Sequence, residues 1–133
     1  MKRSLLLFSL IFLSLLFAQC NSQDNAINKK LTEMASELNE STPVMLDNYT
    51  RFDKASVTKE NVFQYNYTIL NSENPDSLIG VVESSVRNNI KREFSINHQL
   101  IFFKENNVSV EYIYNNENNK IVKTIRIDSS DYQ

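Results

Sequence analysis

The order of apolar patterns along the chain predicts an α+β fold in two layers, helix-hairpin-helix-hairpin (αββαββ), with two amphipathic helices on one face of a four-stranded antiparallel sheet. Apolar residues recur at helical spacing in two segments, 27–38 and 78–94. Each stripe is followed by runs in which apolar and polar residues alternate, and turn-forming residues separate the runs. Two helices over one sheet face bury all these stripes at once, and residues 27–133 are the length of one small domain.

Ahead of that domain, Lys2 and Arg3 precede an apolar run over residues 5–18, relieved only by Ser9 and Ser14. A charged start and a short apolar segment make the pattern of a secretory signal, whereas a bilayer-spanning helix needs about 20 apolar residues. Residues 1–19 therefore read as a signal peptide, and residues 20–26 as Cys20 with a polar tether. Removal of Lys2 and Arg3 with the signal takes two positive charges away and moves the formal net charge from -2 to -4. No basic footprint for nucleic acid is left.

Ile27, Leu31, Met34 and Leu38 fall at i, i+4, i+7 and i+11, one stripe of a helix that Pro43, after Ser41-Thr42, brings to an end. Residues 49–57 are uneven, but residues 61–70 alternate, with Phe63, Tyr65, Tyr67 and Ile69 on one face and Gln64, Asn66 and Thr68 on the other. Thr58-Lys59-Glu60-Asn61 reads as the tight turn between two strands. Asn74 is placed as a helix N-cap with Pro75 at the first helical position, and Leu78, Val81, Val82, Val86, Ile90 and Phe94 make the second stripe. Gly80 inside it weakens the helix by about 1 kcal/mol and points to close packing on the sheet. After a loop at 95–99, residues 100–103 pack below, and the second hairpin alternates at Val108, Val110, Tyr112 and Tyr114, then at Ile121, Ile125 and Ile127. The Asn-rich loop at 115–119 turns without glycine because Asn tolerates left-handed backbone.

Composition excludes much chemistry. A single Cys builds no disulfide framework or Cys-rich zinc site within the chain, and a single Gly allows neither a P-loop nor a dinucleotide fingerprint. His98, the sole His, lies between Asn97 and Gln99 in a loop and reads as solvated, and no Ser stands in a Gly-x-Ser-x-Gly setting. No metal, cofactor or catalytic residue is expected. The densest charged constellation is Asp47, Arg51 and Asp53, either a polar recognition spot or a structural clasp in which Arg51 bridges both carboxylates; we favour the clasp, since two carboxylates are too few for a calcium cage. Tyr65, Tyr67, Tyr112 and Tyr114 sit at alternate positions on two strands, so each pair shares a sheet face. They read as core beneath helices with one or two hydroxyls at the rim, the alternative being an aromatic patch for a sugar, peptide or partner surface.

The segment Leu16-Phe17-Ala18-Gln19-Cys20, followed by polar Asn21-Ser22-Gln23-Asp24, resembles a bacterial lipobox. That resemblance implies diacylglyceryl transfer to Cys20, cleavage just before it and acylation of the new amino terminus, by palmitate-like chains whose number suffices for stable anchoring. Gln19 departs from the small residue such boxes prefer, and the rival reading is cleavage after Ala18 to give a soluble product with a free thiol. Asn21, in place of an Asp, implies onward sorting to the outer membrane, with the domain facing the periplasm.

Pro43-Val44-Met45-Leu46-Asp47, Thr50-Arg51-Phe52-Asp53, Tyr65-Asn66-Tyr67-Thr68 and the hairpin over 108–127 resemble a widespread group of small uncharacterised bacterial proteins. The resemblance spans most of the domain and brings no activity, cofactor or catalytic residue. By element order alone the chain is also similar to helix-hairpin repeats of periplasmic lipoproteins and inhibitor domains. The expected function is a non-enzymatic, lipid-anchored envelope protein that binds a protein partner or assembles with envelope machinery; the alternative is a small-ligand or inhibitor-type binding module.

Overall fold

A computed structural model describes residues 22–132, so the signal segment, Cys20 and Asn21 lie outside the described residues. Helix α1 occupies residues 22–39, and the polar residues 22–26, expected as tether, are already helical. There follow β1 (Val44–Met45), β2 (Thr50–Val57), β3 (Phe63–Ile69), α2 (Pro75–Ile96), a 3-10 turn (His98–Leu100), α3 (Ile101–Glu105), β4 (Val110–Asn115), β5 (Ile121–Ile127) and a second 3-10 turn (Ser129–Asp131).

The α+β class stands, but the sheet is five-stranded and mixed, in the order β1-β2-β3-β4-β5. The expected four-stranded antiparallel sheet is corrected in two respects. The two-residue β1 pairs with β2, Val44 opposite Phe52. More consequentially, β3 and β4 run parallel, with Tyr65 opposite Tyr112 and Tyr67 opposite Tyr114. The physical reason is the connection: the 22 residues of α2 carry the chain back along the sheet, so β4 starts at the end where β3 started, as a crossover requires.

Helix α1 buries Leu31 and Ala35 and is tied to the sheet by two asparagines. Asn28 Nδ2 donates to the Thr58 carbonyl at 2.8 Å and to Asn61 Oδ1 at 2.9 Å, fastening the helix to the β2–β3 turn. That turn is closed by Thr58, whose Oγ1 accepts from the amides of Glu60 and Val62, and by Asn61 at φ 61°. Asn71, Asn107 and Asn119 likewise hold positive φ, so Asn supplies the left-handed positions in a chain with a single glycine.

At the start of α2, Asn74 accepts from the Ser77 amide at 3.1 Å, with Pro75 opening the helix as expected. The buried stripe is rotated from the expected one. Ile79, Ile90 and Phe94 enter the core, whereas Val81 is 79% exposed and Leu78 and Val82 are also open. Gly80 faces open space, so it does not serve close packing on the sheet. The core continues through Phe103, set edge-on to Phe63 and Phe94 at ring centroid distances of 5.2 and 5.9 Å. Tyr132 closes it, stacking on Phe94 at 4.2 Å and donating its hydroxyl to the Val108 carbonyl.

On the other face of the sheet the side chains are polar and joined across strands. Gln64 accepts from Ser56 and donates to Glu111 at 2.8 Å; Arg126 donates to Glu111 at 2.9 Å and to Asp128 at 2.7 Å. A sheet with one face under helices and one face solvated explains the alternation read along β3.

Candidate functional site

The parallel pairing of β3 and β4 brings the four expected tyrosines together as one row. Tyr65 and Tyr112 stack with centroids 5.1 Å apart and planes 17° apart, and Tyr67 and Tyr114 stack at 5.1 Å and 19°. Tyr67 and Tyr112 lie with nearly parallel planes, 5° apart, at 6.4 Å, which links the two pairs into a continuous floor. Tyr114 is buried and the other three are half-buried. Helix α1 flanks the row on the β2 side, and α2 flanks it on the β5 side through Arg87 donating to the Arg126 carbonyl and Lys123 pairing with Glu83.

Two concavities open along this floor. One, of about 600 Å³, lies between α1 and α3 and is lined by Met34, Leu38, Tyr65, Leu100 and Phe102 among others. The second, of about 310 Å³, is bounded by Tyr67, Tyr112 and Tyr114 below, Val82 and Val86 of α2 beside them, and Leu46 of the β1–β2 loop. Among the described residues none of the four hydroxyls donates to a protein atom, and no buried side-chain oxygen lacks a partner, so each hydroxyl meets the groove. Burial pushes the Tyr65 phenol up to about 12 and raises those of Tyr67, Tyr112 and Tyr114, the neighbouring phenols adding to the effect at Tyr67 and Tyr112. The row is therefore neutral at physiological pH and offers stacking area and hydrogen bonds rather than a nucleophile or base.

Beside the second concavity, which Leu46 and Val82 both line, the outer side of α2 leaves Val81 79% exposed and Leu78 and Val82 more than a third exposed, and Leu46 is 57% exposed. The sequence hides this surface because those residues belong to an apolar stripe, which reads as core. The legible signal was its width: Leu78, Val81 and Val82 together with Ile79, Val86, Ile90 and Phe94 exceed what one buried helix face accommodates.

The Asp47, Arg51, Asp53 constellation divides. Arg51 Nε donates to Asp53 Oδ1 at 2.5 Å, and Thr68 Oγ1 donates to Asp53 Oδ2 at 2.6 Å. Asp47 instead accepts from the backbone amides of Tyr49 and Thr50 at 2.7 and 2.8 Å, chiefly the former holding its carboxyl below the usual range. The clasp as expected is thereby corrected: Asp47, four residues before Arg51, is captured first by the amides of its own turn. His98 is exposed and has no hydrogen bond or ion pair among the described residues. No group of three or more metal-ligating side chains is found among the described residues.

Residues 25–124 match a family described as Domain of unknown function (DUF8479), and the chain belongs to that family. No protein with a curated description matches it in sequence. Among solved structures it is similar to PA3611 of Pseudomonas aeruginosa, assigned as a secreted protein, at 17% identity and TM-score 0.71 over 83% of this chain and 96% of that one. It is also similar to EpsS, a type 2 secretion system pilotin from Vibrio vulnificus, at 8% identity and TM-score 0.60 over 85% and 97% of the two chains. The type II secretion system pilotin AspS from Vibrio cholerae matches at 10% identity and TM-score 0.54 over 84% and 97%. These likenesses establish a shared fold, and the family bears out the resemblance to uncharacterised proteins.

Proposed function

We propose that this member of the DUF8479 family is a non-enzymatic, lipid-anchored protein of the cell envelope that binds a protein partner over the tyrosine floor and the outer side of α2. The observation that carries this reading is the exposed apolar surface to which Leu46, Leu78, Val81 and Val82 contribute, beside a groove floored by stacked rings. Leu78, Val81 and Val82 are spaced i, i+3 and i+4, so they stand side by side on the helix, and an exposed contiguous apolar patch is costly unless a partner covers it. The phenols add what an interface centre uses, large rigid contact area with a polar tip. The signal-like start of the chain and the fold shared with two type II secretion pilotins support a place in envelope assembly. Cys20 is the proposed anchor, holding the domain at the outer membrane on its periplasmic side.

Two arms test this. Cys20→Ser is expected to move the protein from the membrane pellet to the soluble fraction, and palmitate labelling that persists in it would refute the anchor. A Leu78→Ser/Val82→Ser double variant is expected to keep its melting temperature within a few degrees and to lose a protein that the unaltered chain recovers from solubilised membranes by pull-down and mass spectrometry. Recovery of the same proteins by both forms would refute the docking surface.

A further inference from the structure

The opposite face of the sheet carries a second concavity, and its chemistry is the reverse of the groove's. In a regular strand Arg51 and Asp53 share a face and Lys54 points to the other. In β2 the register shifts between Phe52 and Lys54: Phe52 lies opposite Tyr67 and Ala55 opposite Tyr65 on the core side, while Lys54 lies opposite Asn66 on the open side. A β-bulge thus gathers two cations and a carboxylate on one face within four residues, the kind of local irregularity that re-aims a side chain toward a site.

The carboxylate is already committed. Asp53 accepts from Arg51 with one oxygen and from Thr68 with the other, so it orients the guanidinium and has little left to offer a ligand. The terminal nitrogens of Arg51 and the ammonium of Lys54 have no partner among the described residues. They line a cavity of about 580 Å³ with Asn66, Asn115 and Asn119. Asn66 Nδ2 donates to Ser56 Oγ at 3.3 Å and Asn115 Nδ2 to the Tyr67 carbonyl at 3.1 Å, and among the described residues nothing donates to either amide oxygen.

We propose that this cavity binds a small acidic sugar-like ligand, a carboxylate or phosphate on a hydroxyl-bearing framework. Two cations against one carboxylate leave one positive charge uncompensated, which selects an oxyanion, and the planar guanidinium fork suits it. The two amide oxygens accept from hydroxyls beside that oxyanion, which a bare anion lacks. The site lies across the sheet from the tyrosine row and is independent of the proposed docking surface.

Protein purified from cells expressing the full chain tests this by chemical-shift titration of the backbone amides of β2. Glucuronate and glucose 6-phosphate are compared with glucose and with inorganic phosphate. Saturable binding of both acidic sugars is expected, at least about tenfold tighter than that of glucose or phosphate. Lys54→Gln and Arg51→Gln are each expected to weaken it about tenfold, with the melting temperature held within a few degrees. No saturable binding of the acidic sugars, equal binding of glucose or of phosphate, or unchanged affinity in Lys54→Gln would overturn the proposal.

Discussion

The side-chain amide of Asn39 closes both backbone positions of Ala55: its Nδ2 donates to the Ala55 carbonyl at 2.9 Å, and its Oδ1 accepts from the Ala55 amide at 2.7 Å. Strand β1 pairs with β2 only at Phe52 and Arg51, so the outer edge of β2 is open at Ala55. The last residue of α1 thereby does what a neighbouring strand would do, and it blunts an edge that would otherwise invite pairing with another chain. Because Ala55 is 4% exposed, its polar groups have no water to turn to. Asn39→Ala is expected to lower stability by about 1–3 kcal/mol, the penalty of buried backbone groups left unpaired. Asn39→Asp should be no better, since a carboxylate accepts from the Ala55 amide but repels its carbonyl. Denaturant melts of the three forms check this; wild-type stability in Asn39→Ala would show that the edge is satisfied otherwise.

Asp53 and Arg51 are expected to differ in what their loss costs. Arg51 keeps its side chain 37% exposed and makes one ion pair, so Arg51→Ala should cost only about 0–1 kcal/mol. Asp53→Ala also strips the partner from the hydroxyl of Thr68, which is 2% exposed, and should cost about 1–3 kcal/mol. Chemical denaturation of both single variants measures the difference, and equal losses would contradict the pairing.

Gly80 is the cheapest place to stabilise the chain. A Cβ added there meets nothing within 4 Å, and its φ is not positive. Gly80→Ala should therefore raise stability by about 0.5–1 kcal/mol, through helix propensity and a less flexible unfolded chain. Thermal melts decide it, and a destabilised variant would mean that α2 bends or packs at this residue.

The tyrosines set the alkaline limit. Burial raises the phenols of Tyr65 and Tyr132 to about 12 and also raises Tyr67, Tyr112 and Tyr114. The folded state holds these protons more tightly than the unfolded chain, whose phenols ionise near 10. Their contribution to stability is thus complete below about pH 10 and is lost as pH rises toward the folded values. Phenolate absorbance at these five residues is expected to appear together with loss of tertiary structure. Ionisation of the row in a still-folded protein would show that the groove is wetter than its stacking implies.

At the acid end the sign reverses. Asp47 is lowered chiefly by the Tyr49 amide, Asp128 chiefly by Arg126, and Asp131 chiefly by Lys91. Each contributes stability that is present above the ordinary carboxylate range and fades as pH falls below it. A melting temperature that declines below about pH 4, and less so in Asp47→Asn, is the expected profile.

Local rules decided much of this chain before any packing. The Asn74 cap and Pro75, the Thr58 to Asn61 turn, the left-handed Asn residues and the alternation from Phe63 to Ile69 depend on neighbours a few residues away, and all are legible by spacing and residue type. The tyrosines were legible as pairs, because period-two alternation assigns faces within one strand. What joined the pairs into a floor was the parallel registration of β3 with β4, a relation between segments separated by α2 that no local pattern contains. The same holds for the stripe of α2: seven apolar residues wrap more of the helix than one sheet can cover, and only docking on β5 chose Ile79, Ile90 and Phe94 over Leu78, Val81 and Val82. Likewise Arg51 had two carboxylates within reach in sequence; the turn amides took Asp47, which left Asp53, two residues along the same strand, to pair with Arg51. Short-range periodicity and capping are set by the backbone's own geometry, whereas pairing partners, helix rotation and exposed surface are set by which long-range contacts close together, and those exist only in the folded chain.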